Sequence, residues 1–390
     1  MTRLTHLAQV FRSMGGVESV LRHHHQADAG QKIESQFVVY QEDASTAVER
    51  VVFLGLDQRC SIHRARMKMK AAVAQASPEV AVYHSVWGMS YWADLDGAQR
   101  RILVLHSDFP GLEESLRPRG GLIDGLLCVS EVLRQKVAEW LPHLGADRVG
   151  LLHYPVLPRV KASSKPPLNN RSLVIGFCGR LMFEQKRVER LPALCARLDQ
   201  AGLDYRFEFL GDGPERGWLE TRLADPLKFV FHGRKAGDDY WHQLDRWDAI
   251  AFVSDFEGTP IALLEAMSMG VIPIYPRINS GGDAVVAAVG PELLYEPEDF
   301  GHVAAFLGEF GKWSQDQVDG LRSRCQQAVS PYLGANYITE FAAFVGRVGA
   351  APRISQEQIS RPPWPIEHLP LNWVARLGLF RRGIRRLVRR

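Results

Sequence analysis

Residues 254–267 read Ser254-Asp255-Phe256-Glu257-Gly258-Thr259-Pro260-Ile261-Ala262-Leu263-Leu264-Glu265-Ala266-Met267. The residues before them, Ala249–Val253, form a short apolar run with the length and composition of a buried strand. The chain thus leaves a strand, passes through a loop bearing Glu257 and Gly258, and enters a helix at Pro260. Proline suits a first helical turn because its missing N–H would be unpaired there anyway. Gly258 permits close backbone approach, and the exposed N–H groups of the turn, beside Thr259 and Pro260, can hold an anion. Glu265 lies further along the helix on an otherwise apolar face, where a carboxylate needs a partner. Two readings fit this pattern: a ligand site in a strand-to-helix loop, or a capped helix whose Glu265 pairs with a neighbouring base.

On either side of this segment, apolar runs alternate with longer helical patterns. Val51–Leu56, Val80–Tyr83, Ile102–His106 and Leu126–Val129 read as strands in the first half. Residues 156–172, rich in proline, serine and paired asparagine, break the rhythm and read as a linker. It resumes with strands at Leu173–Phe177, Tyr205–Leu210, Phe229–Phe231, Ala249–Val253 and Val271–Tyr275. Helices are expected near Arg187–Gln200, around Tyr240–Leu244 and from Pro260 to Met269. The fold class is α/β, in two Rossmann-like halves, residues 1–155 and 173–330. Residues 331–350 are expected to hold a last helix, 351–370 a Pro-rich spacer and 371–390 a basic tail. Ligands of open α/β sheets bind at the carboxyl ends of the strands, so the strand-to-helix loops hold the candidates.

Four further segments qualify. Ile175-Gly176-Phe177-Cys178-Gly179-Arg180-Leu181 delivers Arg180 past a strand end, and Lys186 follows at an expected helix start. Together they suit a diphosphate, although a solvated basic loop fits as well. Leu210-Gly211-Asp212-Gly213-Pro214 is a glycine turn after a strand and lacks the third glycine of a dinucleotide fingerprint. Ser13-Met14-Gly15-Gly16-Val17-Glu18 places Gly16 where a ligand phosphate or a plain turn would need it. His106 ends a strand, and His84 has a similar setting one strand earlier; a structural role suits either. Asp94-Leu95-Asp96 fits a D-x-D metal pattern but reads as part of a polar loop. His23-His24-His25 scatters its rings around a helix and reads as a solvated helix end. No metal site is expected, and no GxxxxGK[ST] or GxSxG is present.

Glu257 and Glu265, separated by seven residues within FEGTPIALLEAMSMGVIPI, resemble the E-x7-E signature of retaining glycosyltransferases with the GT-B fold, the group 1 or family 4-like enzymes. The GR…K pair, the GDGP loop and the GG-x-E loop resemble that family's donor loops and occur in its order. The resemblance implies two facing Rossmann-like domains, the first for the acceptor and the second for a nucleotide sugar. Glu257 would contact the donor sugar and Glu265 the ribose, while Arg180 and Lys186 would neutralise the diphosphate. Gly211 would lie beneath the nucleotide, Gly16 would reach the diphosphate from the other domain, and His106 would bind the transferred sugar. Gly258, Thr259 and Pro260 complete the donor loop. The implied donor is a UDP-sugar ahead of GDP- or ADP-sugars, with no metal or other cofactor. An epimerase or phosphorylase of the same fold, or a catalytically silent binding subunit, are the alternatives.

Charge is nearly balanced, with 47 Lys and Arg against 44 Asp and Glu, but unevenly placed. Seven arginines, among them Arg376, Arg381, Arg382, Arg385 and Arg386, occupy the last twenty residues; subtracting them from +3 leaves −4. A uniformly basic nucleic-acid-binding protein is thereby excluded. Trp373, Leu377, Phe380 and Ile384 recur at helical spacing among these arginines, as in a helix lying on an anionic membrane. A partner-binding helix or a disordered basic end would give the same pattern. Arg59, Arg64, Arg66, Lys68 and Lys70 form a second basic cluster that could extend this surface or be a solvated face. Five scattered cysteines with no CxxC argue against disulfides and zinc. Without a signal-like segment or an apolar span, the expected location is cytoplasmic, peripheral at the inner face of the cytoplasmic membrane. The expected acceptor is then a lipid-linked glycan of the cell envelope.

Overall fold

The computed structural model describes residues 1–354 and 368–371, apart from positions 13, 14, 44, 46, 58, 169, 170 and 335. Thirteen strands form two parallel sheets. The first contains β1 (Thr2–Ala8), β2 (Ile33–Val39), β3 (Val51–Phe53), β4 (Val80–Tyr83), β5 (Arg100–Leu105), β6 (Gly125–Cys128) and β7 (Val149–Leu151), in the order β3-β2-β1-β4-β5-β6-β7. The second contains β8 (Leu173–Cys178), β9 (Tyr205–Leu210), β10 (Phe229–Gly233), β11 (Ala249–Ala251), β12 (Ile272–Pro276) and β13 (Leu294–Tyr295), in the order β10-β9-β8-β11-β12-β13. Helices connect the strands, as parallel pairing requires. The order reverses between β1 and β4 and again between β8 and β11, opening a crevice at each point.

Burial on both faces explains why the strands read as continuous apolar runs. Strand β1 is buried from Leu4 to Ala8, which takes Thr5 and His6 into the interior. Where observed elements are shorter than the apolar pattern suggests, backbone geometry supplies the reason. Strand β3 stops at Phe53 because Gly55, at φ +54°, turns the chain out of the ladder. The helix expected near Arg187 begins as a single 3-10 turn, Val188–Arg190, after a left-handed Arg187, and becomes α-helical at Leu191. Pro260 caps the helix Ile261–Ser268 with an extended ψ of 125° rather than joining it.

The chain crosses back after the second sheet. Val156 N–H donates to the Tyr332 carbonyl at 2.9 Å, and Gly334 N–H to the Val156 carbonyl at 3.1 Å, so outgoing and returning segments run together. The helix Tyr337–Ala350 then packs on the first sheet. A Cβ at Gly125 would meet Val348 at 2.6 Å, and one at Gly150 would meet Phe344 at 2.8 Å, so both glycines make room for it. Leu371 is buried beside the helix Ile62–Ala76 and donates to the Cys60 carbonyl at 3.0 Å. The proposed membrane residues Trp373, Arg376, Phe380, Arg381, Arg382, Arg385 and Arg386 lie outside the described residues.

Two surface expectations need correction. Asp96 is buried and accepts from Arg101 at 2.7 and 2.9 Å and from the Tyr83 hydroxyl at 2.7 Å, so it belongs to the core rather than to a polar loop. Arg66, placed in the basic cluster, is also buried and pairs with Asp94. These four charges are paired with one another and are not available to a membrane.

Asp248, just before β11, is fully buried. It receives Arg171 through both oxygens at 2.6 and 2.7 Å, Val174 N–H at 2.9 Å and Arg322 at 3.4 Å. The linker end, the start of β8 and the helix Gln315–Ala328 are thus joined through one carboxylate. D248A would leave Arg171 without its acid and Arg322 with Asp319 only, and should cost about 3–5 kcal/mol in urea unfolding. A loss within 1 kcal/mol of zero would show that the clamp is dispensable.

Candidate functional site

The acid Glu257 is buried and fully engaged. Its Oε1 accepts from Lys186 Nζ at 2.6 Å and Ser254 Oγ at 2.8 Å, and its Oε2 from Gln185 Nε2 at 3.1 Å. The loops after β8 and β11 are therefore pinned together by an ion pair across the second switch point. Lys186 sits on a turn ahead of the 3-10 turn, not at a helix start as its position in sequence suggests. Its stem passes Gly179, where a Cβ would stand 3.3 Å from Lys186 Cε. Arg180 is exposed and has no hydrogen bond or ion pair among the described residues.

Gly211 has φ +135°, and a Cβ on it would meet the Gly179 carbonyl oxygen at 2.0 Å. A Cβ on Gly213 would meet the Leu181 oxygen at 2.1 Å. The GDGP loop thus interlocks with the GR loop, and only glycine permits that approach.

The two halves meet at Gly258. A Cβ there would stand 2.4 Å from the His106 carbonyl oxygen and 2.8 Å from Val129 Cγ2. Beside it the Thr259 hydroxyl donates to the Val129 carbonyl at 3.0 Å. A Cβ on Gly16 would come within 3.3 Å of Ile261 Cδ1. Gly16, His106, Lys186, Glu257, Gly258 and Thr259 are thereby gathered at one seam between the carboxyl ends of the two sheets.

Glu265 is placed apart from this group. Its partner is the Tyr240 hydroxyl, which also lies 3.7 Å from Cys178 Sγ, and no ion pair to a base is present among the described residues. Burial, with only this neutral donor in opposition, pushes the Glu265 carboxyl up to about 7. Pro260 lies between the two acids as the N-cap, and its carbonyl accepts from Leu263 N–H at 3.1 Å.

His106 is half-buried, while His84 is buried behind it. They are linked, with His106 Nε2 3.0 Å from His84 Nδ1, and His106 Nδ1 meets the Tyr154 hydroxyl. Desolvation, with the charge of His24 adding to it, lowers His106 to about 3. The expected solvated helix end at residues 23–25 is overturned at its central residue. His24 is fully buried and its Nδ1 lies 2.9 Å from Asp28 Oδ1. The rings scatter as expected, and one of them scatters into the core.

Sequence reasoning missed Gln185, Tyr240, Ser254 and Tyr154. Ser254, three residues before Glu257, was open to inspection. The others are brought in by loops distant in sequence and carry no local signal.

Glu265 offers a test that needs no ligand. Its folded value of about 7 exceeds the ordinary 4.5, so the folded state binds the proton more tightly than the unfolded chain. Its contribution to stability is complete below pH 4.5 and is lost as pH rises through 7. E265Q has no such loss, so its stability relative to the parent should rise by about 3 kcal/mol between pH 4.5 and 8 in urea unfolding. Parallel pH curves would contradict the assigned burial.

Comparison with known proteins agrees with this geometry. Residues 172–310 match the family model described as Glycosyl transferases group 1. The putative colanic acid biosynthesis glycosyltransferase WcaL of Salmonella typhimurium is 29% identical over 158 residues, covering 38% of each chain. The lipopolysaccharide 1,6-galactosyltransferase of the same organism is 29% identical over 172 residues, covering 41% of this chain and 46% of the relative. The chain thus spans less than half the length of these curated relatives. Anabaena Alr3699/HepE, solved in complex with UDP-glucose, superposes with a TM-score of 0.69 at 15% identity, over 88% of this chain and 99% of that one. Residues 172–310 are thus similar to the group 1 glycosyl transferases, and the chain shares the fold of that solved structure.

Proposed function

We propose that the protein transfers a sugar from a nucleotide-sugar donor to a hydroxyl of a glycan or lipid-linked acceptor, with retained anomeric configuration and without a metal ion. The observation that carries this reading is the seam itself. A buried Lys186–Glu257 pair and an unpaired Arg180 stand beside a glycine loop where the two halves touch.

Cleavage of a sugar–diphosphate bond builds negative charge on the diphosphate and positive character on the anomeric carbon. Preorganised cations stabilise the first most strongly where water is excluded. Arg180 and Lys186 supply two, and Lys186 has three N–H donors to share between Glu257 and a phosphate. Glu257 retains Ser254 and Gln185 as donors when Lys186 turns to the phosphate, and its remaining lone pairs suit sugar hydroxyls. Glu265, backed by Tyr240, suits the two hydroxyls of a ribose. Gly16 lets the first half's backbone approach the diphosphate. In this reading the leaving phosphate accepts the acceptor's proton on the face from which it departs.

A uridine donor is favoured because a chain of the same fold binds UDP-glucose. An envelope acceptor is favoured because relatives bear the names of colanic acid and lipopolysaccharide enzymes. No helix among the described residues is long and apolar enough to cross a membrane. We assign attachment at an inner membrane face to the arginines after Leu371 on the strength of their number and spacing in the sequence.

R180A should lower kcat/KM for the donor roughly 100- to 1,000-fold and abolish most of the thermal stabilisation by UDP. E257A should abolish transfer. Proton NMR of the product, with and without acceptor, separates the readings. An α-linked product from an α-linked donor supports retention, while an epimerised donor or a sugar phosphate would replace this function with the corresponding rival. Undiminished pathway output with both variants would indicate a silent subunit. Truncation after Leu371, which keeps that buried side chain, should release the protein from vesicles containing anionic lipid and spare UDP binding. Equal vesicle binding would exclude the tail as the attachment.

A further inference from the structure

Behind the seam, the first sheet carries a chain of buried polar side chains to which nothing above gives a task. Asp28, fully buried, accepts from the Ser35 hydroxyl and faces His24 Nδ1 at 2.9 Å and His6 Nε2 at 3.3 Å. His6 Nδ1 lies 2.9 Å from His84 Nε2, and His84 Nδ1 lies 3.0 Å from His106 Nε2. His106 Nδ1 meets the Tyr154 hydroxyl. The three rings come from β1 and from the ends of β4 and β5, at successive centroid separations of 5.2 and 5.3 Å.

Each contact in such a chain holds one proton, so counting protons decides where they sit. Asp28 is held well below the usual carboxylate range by hydrogen bonds and charge from His24 and His6, and as a carboxylate it only accepts. Burial keeps His6, His84 and His106 neutral at neutral pH, with one ring proton each. His6 must then spend its proton at Nε2 on Asp28. That leaves its Nδ1 to accept from His84 Nε2–H, and the same reasoning passes to His106. On the other branch, His24 Nε2 lies 3.1 Å from the Tyr337 hydroxyl.

We infer that Asp28, acting through His6 and His84, fixes His106 as its Nε2–H tautomer and so offers an acceptor nitrogen, Nδ1, at the cleft end of the chain. Tyr154 donates to that nitrogen in this structure. A sugar hydroxyl, itself a donor, suits the same lone pair, whereas a group that only accepts does not. Asp28, His6 and His84 are positioning residues in this scheme. Glu18 and Glu257 are the carboxylates that act on Tyr154, and Tyr337 faces both His24 and Tyr154.

A metal ion is the competing use of this cluster, because the ligand atoms of His6, His24 and Asp28 lie within 4.8 Å of one another. It would take the Nε2 lone pair of His6 and force the opposite polarity, with Nδ1–H on His6, His84 and His106. The two states are therefore distinguishable by where the protons sit.

The test is two-bond 1H–15N correlation on nucleotide-free protein labelled in its histidine rings, with and without EDTA treatment. The expected pattern is Nε2–H on His6, His84 and His106, unchanged by EDTA. Nδ1–H on any of the three, with or without metal, would overturn the inference. H84L cuts the chain and should leave His106 a mixture of tautomers, while H84Q, which restores an acceptor, should return it to Nε2–H. A single Nε2–H form of His106 in H84L would also overturn it, and the parent's pattern is decisive even if that variant does not fold.

The use of this order in catalysis rests on the sugar-transfer reading. There H106A should lower kcat/KM for the donor, H84L should lower it by a smaller factor, and the double variant by no more than H106A alone. Additive losses would break the coupling, whereas a parent that transfers no sugar would remove only the proposed function.

Discussion

The close approach at Gly258 is the constraint on which the rest of the site depends. Two parallel sheets present their carboxyl ends to each other, and one position must carry no side chain for them to meet. With His106 and Val129 from one half against Gly258 and Thr259 from the other, every strand-end loop that bears a candidate is drawn toward the same line. Gly16 against Ile261 repeats the arrangement a short distance away. The site is therefore a property of the contact between halves, and neither sheet holds it alone.

Charge is disposed to match. Along the seam the buried acids do not share one kind of partner. Glu257 faces Lys186 and two neutral donors, whereas Glu265 has only a tyrosine hydroxyl among the described residues and its carboxyl is pushed up to about 7. Two carboxylates on one short segment thereby acquire different surroundings. Desolvation without a cation raises the Glu265 carboxyl. Arg180 has no hydrogen bond or ion pair among the described residues.

The first half contributes through its interior. Polar residues in a central buried strand need partners, and β1 solves this by joining His6 to Asp28 on one side and His84 on the other. That network ends at the half-buried His106, so core satisfaction and cleft chemistry use the same hydrogen bonds. The last helix closes over it, with Tyr337 and Phe341 against His24, which makes the returning segment part of the same structure.

Much of this was legible along the chain. Alternating apolar runs located most of the thirteen strands, because parallel strands buried on both faces need uninterrupted apolar residues. Glycines and charges after strands marked the loops, because strand ends are where open sheets bind ligands. Composition revealed the separation of a mildly acidic body from an arginine-rich end. What local pattern could not contain was any relation between residues brought together by folding. Tyr240 behind Glu265, Gln185 on Glu257, and His24 buried with Asp28 and His6 depend on side chains many residues apart meeting in space. Residue type and spacing located most of the strands and marked Glu257 and Glu265 as candidates. The tertiary structure alone decided which acid keeps a proton, which histidine faces the cleft and which glycine joins the halves, because those properties follow from burial and partners rather than from neighbours in the chain.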